Sequence, residues 1–159
     1  MCGICGELRF DNAPPNRDRI EQMKTKLEQR GPDSEGSYFN DAIALGHRRL
    51  AIIDLSNKAA QPMVDEDKGI ALVFNGTIYN YPELRKELQD KGHTFKSSGD
   101  TEVILRAFIE WGAACMQRLH GMFAFSIWDA KRKRIFIARD RTGIKPLYYS
   151  QDGSRFAFA

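Results

Sequence analysis

Apolar positions along the chain follow two rhythms, and the rhythms change in order. Gly6 to Phe10 reads as a short first strand, broken by Asp11-Asn12-Ala13-Pro14-Pro15. Ile20, Met23 and Leu27 then recur at spacings of three and four. That predicts an amphipathic helix over Arg17 to Gln29, stopped by Gly31-Pro32. Ser37 to Phe39 and Ile43 to Ile53 are strand-like, with Asn40-Asp41 as the turn between them. The polar stretch from Asp54 to Lys68 predicts a long loop. Ile70 to Phe74 reads as a buried strand ending at Asn75-Gly76. Pro82 to Asp90 is a helix with Leu84 and Leu88 inward, closed by Gly92. Thr101 to Trp111 is another, with Val103, Ile104 and Phe108 as its apolar face. Met122 to Trp128, Ile135 to Ala138, Leu147 to Tyr149 and Arg155 to Phe158 read as strands, the first two paired through Ala130 to Lys133.

Strands, then helices, then strands argue for an α+β fold with largely antiparallel sheets; periodicity does not choose between one sheet and two. At 159 residues, 42% apolar and 28% charged, the chain suits one globular domain with a real core. The net charge of +3 is weak. Only Lys131-Arg132-Lys133-Arg134 clusters, and between two apolar runs it predicts an exposed hairpin tip rather than a nucleic-acid surface. The longest apolar runs are strand-length, no signal-peptide core follows the start, and neither nucleic acid nor membrane is expected as a partner. Three cysteines, an odd number, argue against a disulfide framework and for the cytoplasm. The alternation Arg155-Phe156-Ala157-Phe158-Ala159 stops without a polar tail, as if cut from a longer chain.

The chemistry starts at Met1-Cys2-Gly3. Without the initiator Met, Cys2 carries a thiol and a free α-amine on one Cα. Such an amine has a pKa of roughly 7.7–8.0 and can take the thiol proton. Cys2-Gly3-Ile4-Cys5 also has the spacing of zinc and redox pairs, but Cys115 and the three histidines are scattered singly. Cys5 therefore reads as a small core residue. Asn75-Gly76 has two readings: a turn, or an oxyanion hole built from an amide side chain and a backbone N–H. Arg49 is either a surface ion-pair partner or a fork for a carboxylate. Asp100 reads as a helix N-cap that can still offer an oxygen to an ammonium group. Arg30-Gly31-Pro32-Asp33 is either a helix stop or a lock that holds a loop against a site.

These segments occur in a telling order. Met1-Cys2-Gly3-Ile4-Cys5-Gly6, Arg30 to Asp33, Arg49-Leu50-Ala51-Ile52-Ile53-Asp54, Asn75-Gly76 with Ile78-Tyr79-Asn80, Ser98-Gly99-Asp100, Gly121 to Phe125, and Arg139 to Tyr149 resemble the class II glutamine amidotransferase domain of asparagine synthetases. The resemblance covers essentially the whole chain. It implies an N-terminal nucleophile (Ntn) hydrolase fold, a four-layer αββα sandwich of two mainly antiparallel sheets. It implies a glutaminase domain over residues 1–159, ending before a C-terminal synthetase domain. In such enzymes ammonia from glutamine travels through a tunnel to an ATP-dependent amidation of a carboxylate, aspartate giving asparagine.

The resemblance further implies catalytic roles for Cys2, Asn75 and Gly76. It assigns glutamine binding to Arg49, backbone groups of Leu50, Ile52 and Ile53, residue 77, and Asp100. No metal or cofactor is expected in this domain; ATP and Mg²⁺ belong to the synthetase domain. The expected partners are L-glutamine and that domain, and a homodimer is left open. One position departs from the pattern. Thr77 stands where the family usually carries a Glu that helps hold the substrate head group. Two alternatives follow: enzymes amidating N-acetylglutaminylglutamine, which Val73 to Tyr81 and Trp111 to Cys115 resemble, or an impaired domain that only supports or regulates a synthetase.

Overall fold

The structure is a computed structural model that describes residues 1–159. Nine strands form two antiparallel sheets. The first contains β1 (Gly3–Arg9), β2 (Ser34–Asn40), β3 (Ile43–Arg49), β8 (Tyr149–Asp152) and β9 (Arg155–Phe158), in the order β2-β3-β1-β9-β8. The second contains β4 (Met63–Asp65), β5 (Ile70–Ile78), β6 (Gly121–Asp129) and β7 (Arg134–Arg139), in that order. Helix α1 (Arg17–Lys26) packs on the first sheet, and α3 (Asp100–Trp111) packs on the second, with α2 (Tyr81–Asp90) against α3.

Two apolar layers join the sheets to each other and the second sheet to its helices. Ile4, Ile43, Leu45, Val73 and Trp128 pack between the sheets. Leu72, Phe74, Ile104, Phe108 and Phe125 pack between the second sheet and its helices. Each such side chain stabilises the fold by about 1.5–3 kcal/mol through burial. The inward-facing residues of each strand recur every second position, as a pleat requires. Helix α1 begins where the Asn16 side chain accepts from the Arg19 N–H at 2.9 Å, just after the Pro14-Pro15 break. No helix is long and apolar enough to cross a membrane.

Several boundaries differ from the sequence expectation, each for a reason of pairing. β5 does not end at Asn75-Gly76; it runs to Ile78 because β6 stays in register with it, Gly76 opposite Phe123 and Ile78 opposite Gly121. β3 stops at Arg49 rather than Ile53. Its neighbours run out there, at Gly3 opposite Arg48 and Ser34 opposite Arg49. β1 starts earlier, at Gly3, because β3 pairs with it from that point. Helix α1 ends at Lys26 and continues as a short 3-10 turn over Glu28–Arg30. The polar stretch after Asp54 contains β4, which pairs with Ile70 to Leu72. The strand expected at Leu147 to Tyr149 is instead Tyr149–Asp152, paired with β9. The basic run forms the expected exposed hairpin tip after β6.

Candidate active site

Every residue assigned above to catalysis or glutamine binding lines one cavity of about 170 Å³. It lies at the end of the sandwich where β1 begins and β3 ends. That is smaller than the roughly 300–1,000 Å³ clefts that hold drug-sized ligands, and it suits a single amino acid.

Cys2 lies just before β1. Leu50, just past β3, donates its N–H to Cys2 Sγ at 3.4 Å. The thiol is pushed up by burial, an effect opposed by the Leu50 N–H, the N-terminal charge and Arg49. Arg30 donates from Nε to the Cys2 carbonyl at 3.3 Å, and Asp33 accepts the Ala51 N–H at 2.8 Å. The two ends of the Arg30–Asp33 segment thus hold Cys2 and the loop after β3, and the segment also ends a helical turn. Cys5 is three residues along the strand and faces the other way, toward α1, where a Cβ on Gly46 would lie 2.7 Å from its sulfur. The two thiols are therefore split across the sheet and cannot share a metal or a disulfide. Burial pushes the Cys5 thiol up to about 12 and the Cys115 thiol up to about 11.

Met1 remains attached, so the Cys2 nitrogen is an amide rather than a base. Met1 also lines the cavity, and Lys145 Nζ donates to its Sδ at 3.1 Å. Removing Met1 frees the amine and clears space beside the thiol.

The two adjacent arginines separate as strand alternation demands. Arg48 donates from Nε to the Lys24 carbonyl at 3.3 Å, on the α1 side. Arg49 turns inward, where Nη1 donates to the Ser56 carbonyl at 3.0 Å and Nη2 to the Asp54 carbonyl. Those two bonds fix the guanidinium and leave three of its five N–H groups for a carboxylate. Arg49 lines the cavity and makes no ion pair, so the surface ion-pair reading does not hold.

Asp100 is not an N-cap. Gly99 holds that place, and Asp100 is the first residue of α3. Its Oδ2 accepts the Ile78 N–H at 3.0 Å. Burial holds its carboxyl above the usual carboxylate range, and backbone N–H groups pull the other way. The carboxyl group lines the cavity. Asp54, in the Arg49 motif but without an expected role, joins the two halves of the site. Its Oδ1 accepts from Ser56 N and Oγ at 2.8 and 2.6 Å, and its Oδ2 from Ser98 N and Oγ at 2.7 and 3.0 Å. The Ser56 hydroxyl does most to hold its carboxyl well below the usual range.

The backbone pattern of β5 decides what Asn75-Gly76 can do. Tyr79 N–H donates to the His120 carbonyl at 2.7 Å, so odd-numbered residues of β5 bond to β6. Even-numbered residues then point their N–H groups off the opposite edge. Phe123, opposite Gly76, accordingly uses its N–H and carbonyl on Asp140. On the free edge, β4 reaches only to Leu72. Beyond it the Phe74 N–H goes to Gln61 Oε1 at 2.6 Å and the Ile78 N–H to Asp100. The Gly76 N–H between them has no partner in the chain and opens on the cavity. A side chain at Gly76 would place its Cβ 2.2 Å from the Met122 carbonyl oxygen, so β6 admits only glycine here. Asn75 and Thr77 share the opposite, inter-sheet face of β5, and both reach the cavity. The turn reading of Asn75-Gly76 is therefore replaced by a straight strand with one unpaired donor.

Gln61 and Lys145, to which the sequence reading assigns no role, also line the cavity. Lys145 carried a signal, since it lies in the Arg139–Tyr149 motif. Asp140 accepts the N–H groups of Ile144 and Lys145 at 2.8 and 3.0 Å and so sets that turn. Gln61 gave no signal, sitting in what reads as a polar loop.

Comparisons with known proteins agree with this geometry. A family model described as glutamine amidotransferase domain matches residues 1–159. Asparagine synthetase (glutamine-hydrolysing) 3 of Bacillus subtilis is 41% identical over 99% of this chain and 26% of its own length. Asparagine synthetase (glutamine-hydrolysing) 3 of Arabidopsis thaliana is 42% identical over 97% of this chain and 27% of its own length. The chain thus spans about a quarter of the curated relatives it matches. A solved structure of glutamine phosphoribosylpyrophosphate amidotransferase from B. subtilis superposes with a TM-score of 0.63 at 22% identity, covering 98% of this chain and 35% of that one. That likeness shows the fold, the Ntn-hydrolase αββα sandwich. With a family match over its full length, this chain belongs to the glutamine amidotransferase domain family.

Proposed function

We propose that this domain, freed of Met1, hydrolyses L-glutamine to glutamate and ammonia through a thioester on Cys2. The ammonia feeds an ATP- and Mg²⁺-dependent amidation of aspartate to asparagine on a C-terminal synthetase domain. The names and lengths of the relatives support that second half. The observation that carries the first half is the unpaired Gly76 N–H beside the Asn75 amide, opening on the same cavity as the Cys2 thiol.

The steps follow from these groups. Arg49 binds the α-carboxylate of glutamine and Asp100 its α-ammonium, which leaves the side-chain amide toward Cys2. The Cys2 amine takes the thiol proton. Sulfur bonds to the amide carbon, and the C=O π pair moves to oxygen. The Asn75 side-chain amide and Gly76 N–H hold that oxyanion. On collapse the C–N bond breaks, and the proton on the amine goes to the departing nitrogen as ammonia leaves. Water then attacks the thioester, giving a proton to the same amine. The C–S bond breaks, glutamate leaves and the thiol recovers its proton. Opposite charges grip opposite ends of the head group, so amides lacking it are rejected.

A glutamine-mimicking electrophile tests the assignment. Peptide mapping should find the label on Cys2, with glutamine protecting it. Label on Cys5 or Cys115 would mean that the wrong thiol carries the chemistry.

Thr77 bears on affinity. It shares the Asn75 face of β5 and reaches the cavity, so a longer acid there points at the substrate head group. Thr77→Glu should lower the glutamine KM severalfold at unchanged kcat, since an added ground-state ion pair is uniform binding. An unchanged or higher KM rejects this account.

A further inference from the structure

The unpaired Gly76 N–H is useful only if it is aimed. Aim is a problem at this point in the sheet, because β4 covers β5 only as far as Leu72. From Phe74 onward the edge has no neighbouring strand. A strand edge held on one side can rock, and a donor displaced by a fraction of an ångström loses most of its value to an oxyanion.

Two side chains occupy the place of the missing strand. Gln61, immediately before β4 with Pro62 between, accepts the Phe74 N–H on Oε1 at 2.6 Å. His47, on the inner face of β3 in the other sheet, bonds through Nε2 to the Phe74 carbonyl at 3.1 Å. A carbonyl only accepts, so Nε2 carries the proton. His47 is fully buried, its Nδ1 has no partner, and burial pulls its pKa down to about 4, so the ring is neutral. Both polar groups of the Phe74 peptide edge are thus gripped, one from each side of the sandwich. The other end of the edge is held by Asp100 through the Ile78 N–H. Gly76 lies midway between the two anchors. Gln61 Nε2 also reaches Thr101 Oγ1 at 3.4 Å, next to Asp100, which ties the two anchors together. The Gln61 backbone comes this close because β2 offers Gly36; a Cβ there would lie 2.1 Å from the Gln61 carbonyl oxygen.

We propose that Gln61 and His47 are positioning residues for the oxyanion hole, gripping the Phe74 peptide so that Asn75 and the Gly76 N–H point at the developing charge. Neither touches the reacting atoms. Their effect falls on the transition state and leaves ground-state binding by Arg49 and Asp100 in place. The inference rests on the glutaminase reading above.

The test compares Gln61→Met, His47→Leu and His47→Gln in the intact enzyme. Met matches the size of Gln without the acceptor. Gln at position 47 keeps an N–H donor at the reach of Nε2, whereas Leu does not. Glutamate γ-semialdehyde serves as a probe of the hole. The Cys2 sulfur bonds to its carbonyl carbon as the thiol proton passes to the Cys2 amine, and the C–O⁻ oxygen so formed sits where the oxyanion would. We expect Gln61→Met and His47→Leu to lower kcat about 10- to 100-fold, a fraction of the loss from removing an oxyanion donor outright. The glutamine KM should change less than about threefold, as for an interaction made only in the transition state. Semialdehyde affinity should weaken in proportion to kcat, and His47→Gln should stay near wild type. A melting temperature accompanies each variant. If His47→Leu fails to fold, Gln61→Met and His47→Gln still decide. Unchanged semialdehyde affinity, a KM effect without a kcat effect, or His47→Gln as impaired as His47→Leu would overturn the inference. Wild-type glutamine hydrolysis reports on the glutaminase reading itself; the ratio of variant to wild type reports on the clamp.

Discussion

Cys2→Ala should, on the mechanism proposed above, lower glutamine hydrolysis by roughly 10⁵-fold, given the losses seen when a covalent nucleophile is deleted, and should leave the proposed ammonia-dependent amidation by the intact enzyme unchanged. No other thiol can substitute. Cys5 lies on the opposite face of β1 against α1, and Cys115 is fully buried in the core beneath α3. Burial holds both thiols protonated, at about 12 and about 11. Cys2 is only half-buried, and its sulfur receives the Leu50 N–H and feels Arg49 and the N-terminal charge. A form that keeps Met1 should be as inactive as the variant, because acylation of the Cys2 nitrogen removes the base. Intact mass, glutamate release and ammonia-dependent product formation on the same samples check all three statements. Equal loss of the glutamine- and ammonia-dependent reactions in Cys2→Ala would sink the mechanism.

Much of the fold is legible in the residues because local and global preferences agree there. Ile20, Met23 and Leu27 mark α1, and the helix caps where Asn16 follows two prolines. The misreadings share one cause, which is pairing between distant segments. Asn75-Gly76 carries a turn signal, yet β6 runs alongside in register and keeps the strand straight. Ala51 to Ile53 is apolar enough for a strand, yet β1 and β2 no longer flank it. Its N–H groups then go to other partners, Leu50 to a sulfur and Ala51 to the Asp33 carboxylate. In the site, Arg49 and Asp100 are charged residues whose chemistry shows in any context. Gln61 and His47 are not. Their meaning depends on where β4 stops, and no local pattern states that.

The oxyanion hole gives the sharpest division between holding the substrate and accelerating its reaction. Asn75→Ala should lower kcat by about 10²–10³, equivalent to ~2.7–4 kcal/mol of transition-state stabilisation. The glutamine KM should stay within a few-fold, because the proposed mechanism assigns the head group to Arg49 and Asp100, which line the cavity too. The substitution is well suited to the purpose. Asn75 lines the cavity, and its amide is not among the buried polar atoms left without a partner, so truncating it enlarges the cavity rather than opening a void in the core. Gly76→Ala is a poor alternative. Its Cβ would meet the Met122 carbonyl oxygen at 2.2 Å, and the strain would unpair β5 from β6 before the chemistry could be read. Asn75→Asp keeps the shape but brings a negative charge to a negative oxygen, and should cost more than Asn75→Ala in kcat at the same KM. Steady-state kinetics with glutamine separate these outcomes. A kcat for Asn75→Ala within about threefold of wild type, well short of the loss expected for one donor, would leave the Gly76 N–H as the sole donor and remove Asn75 from the mechanism.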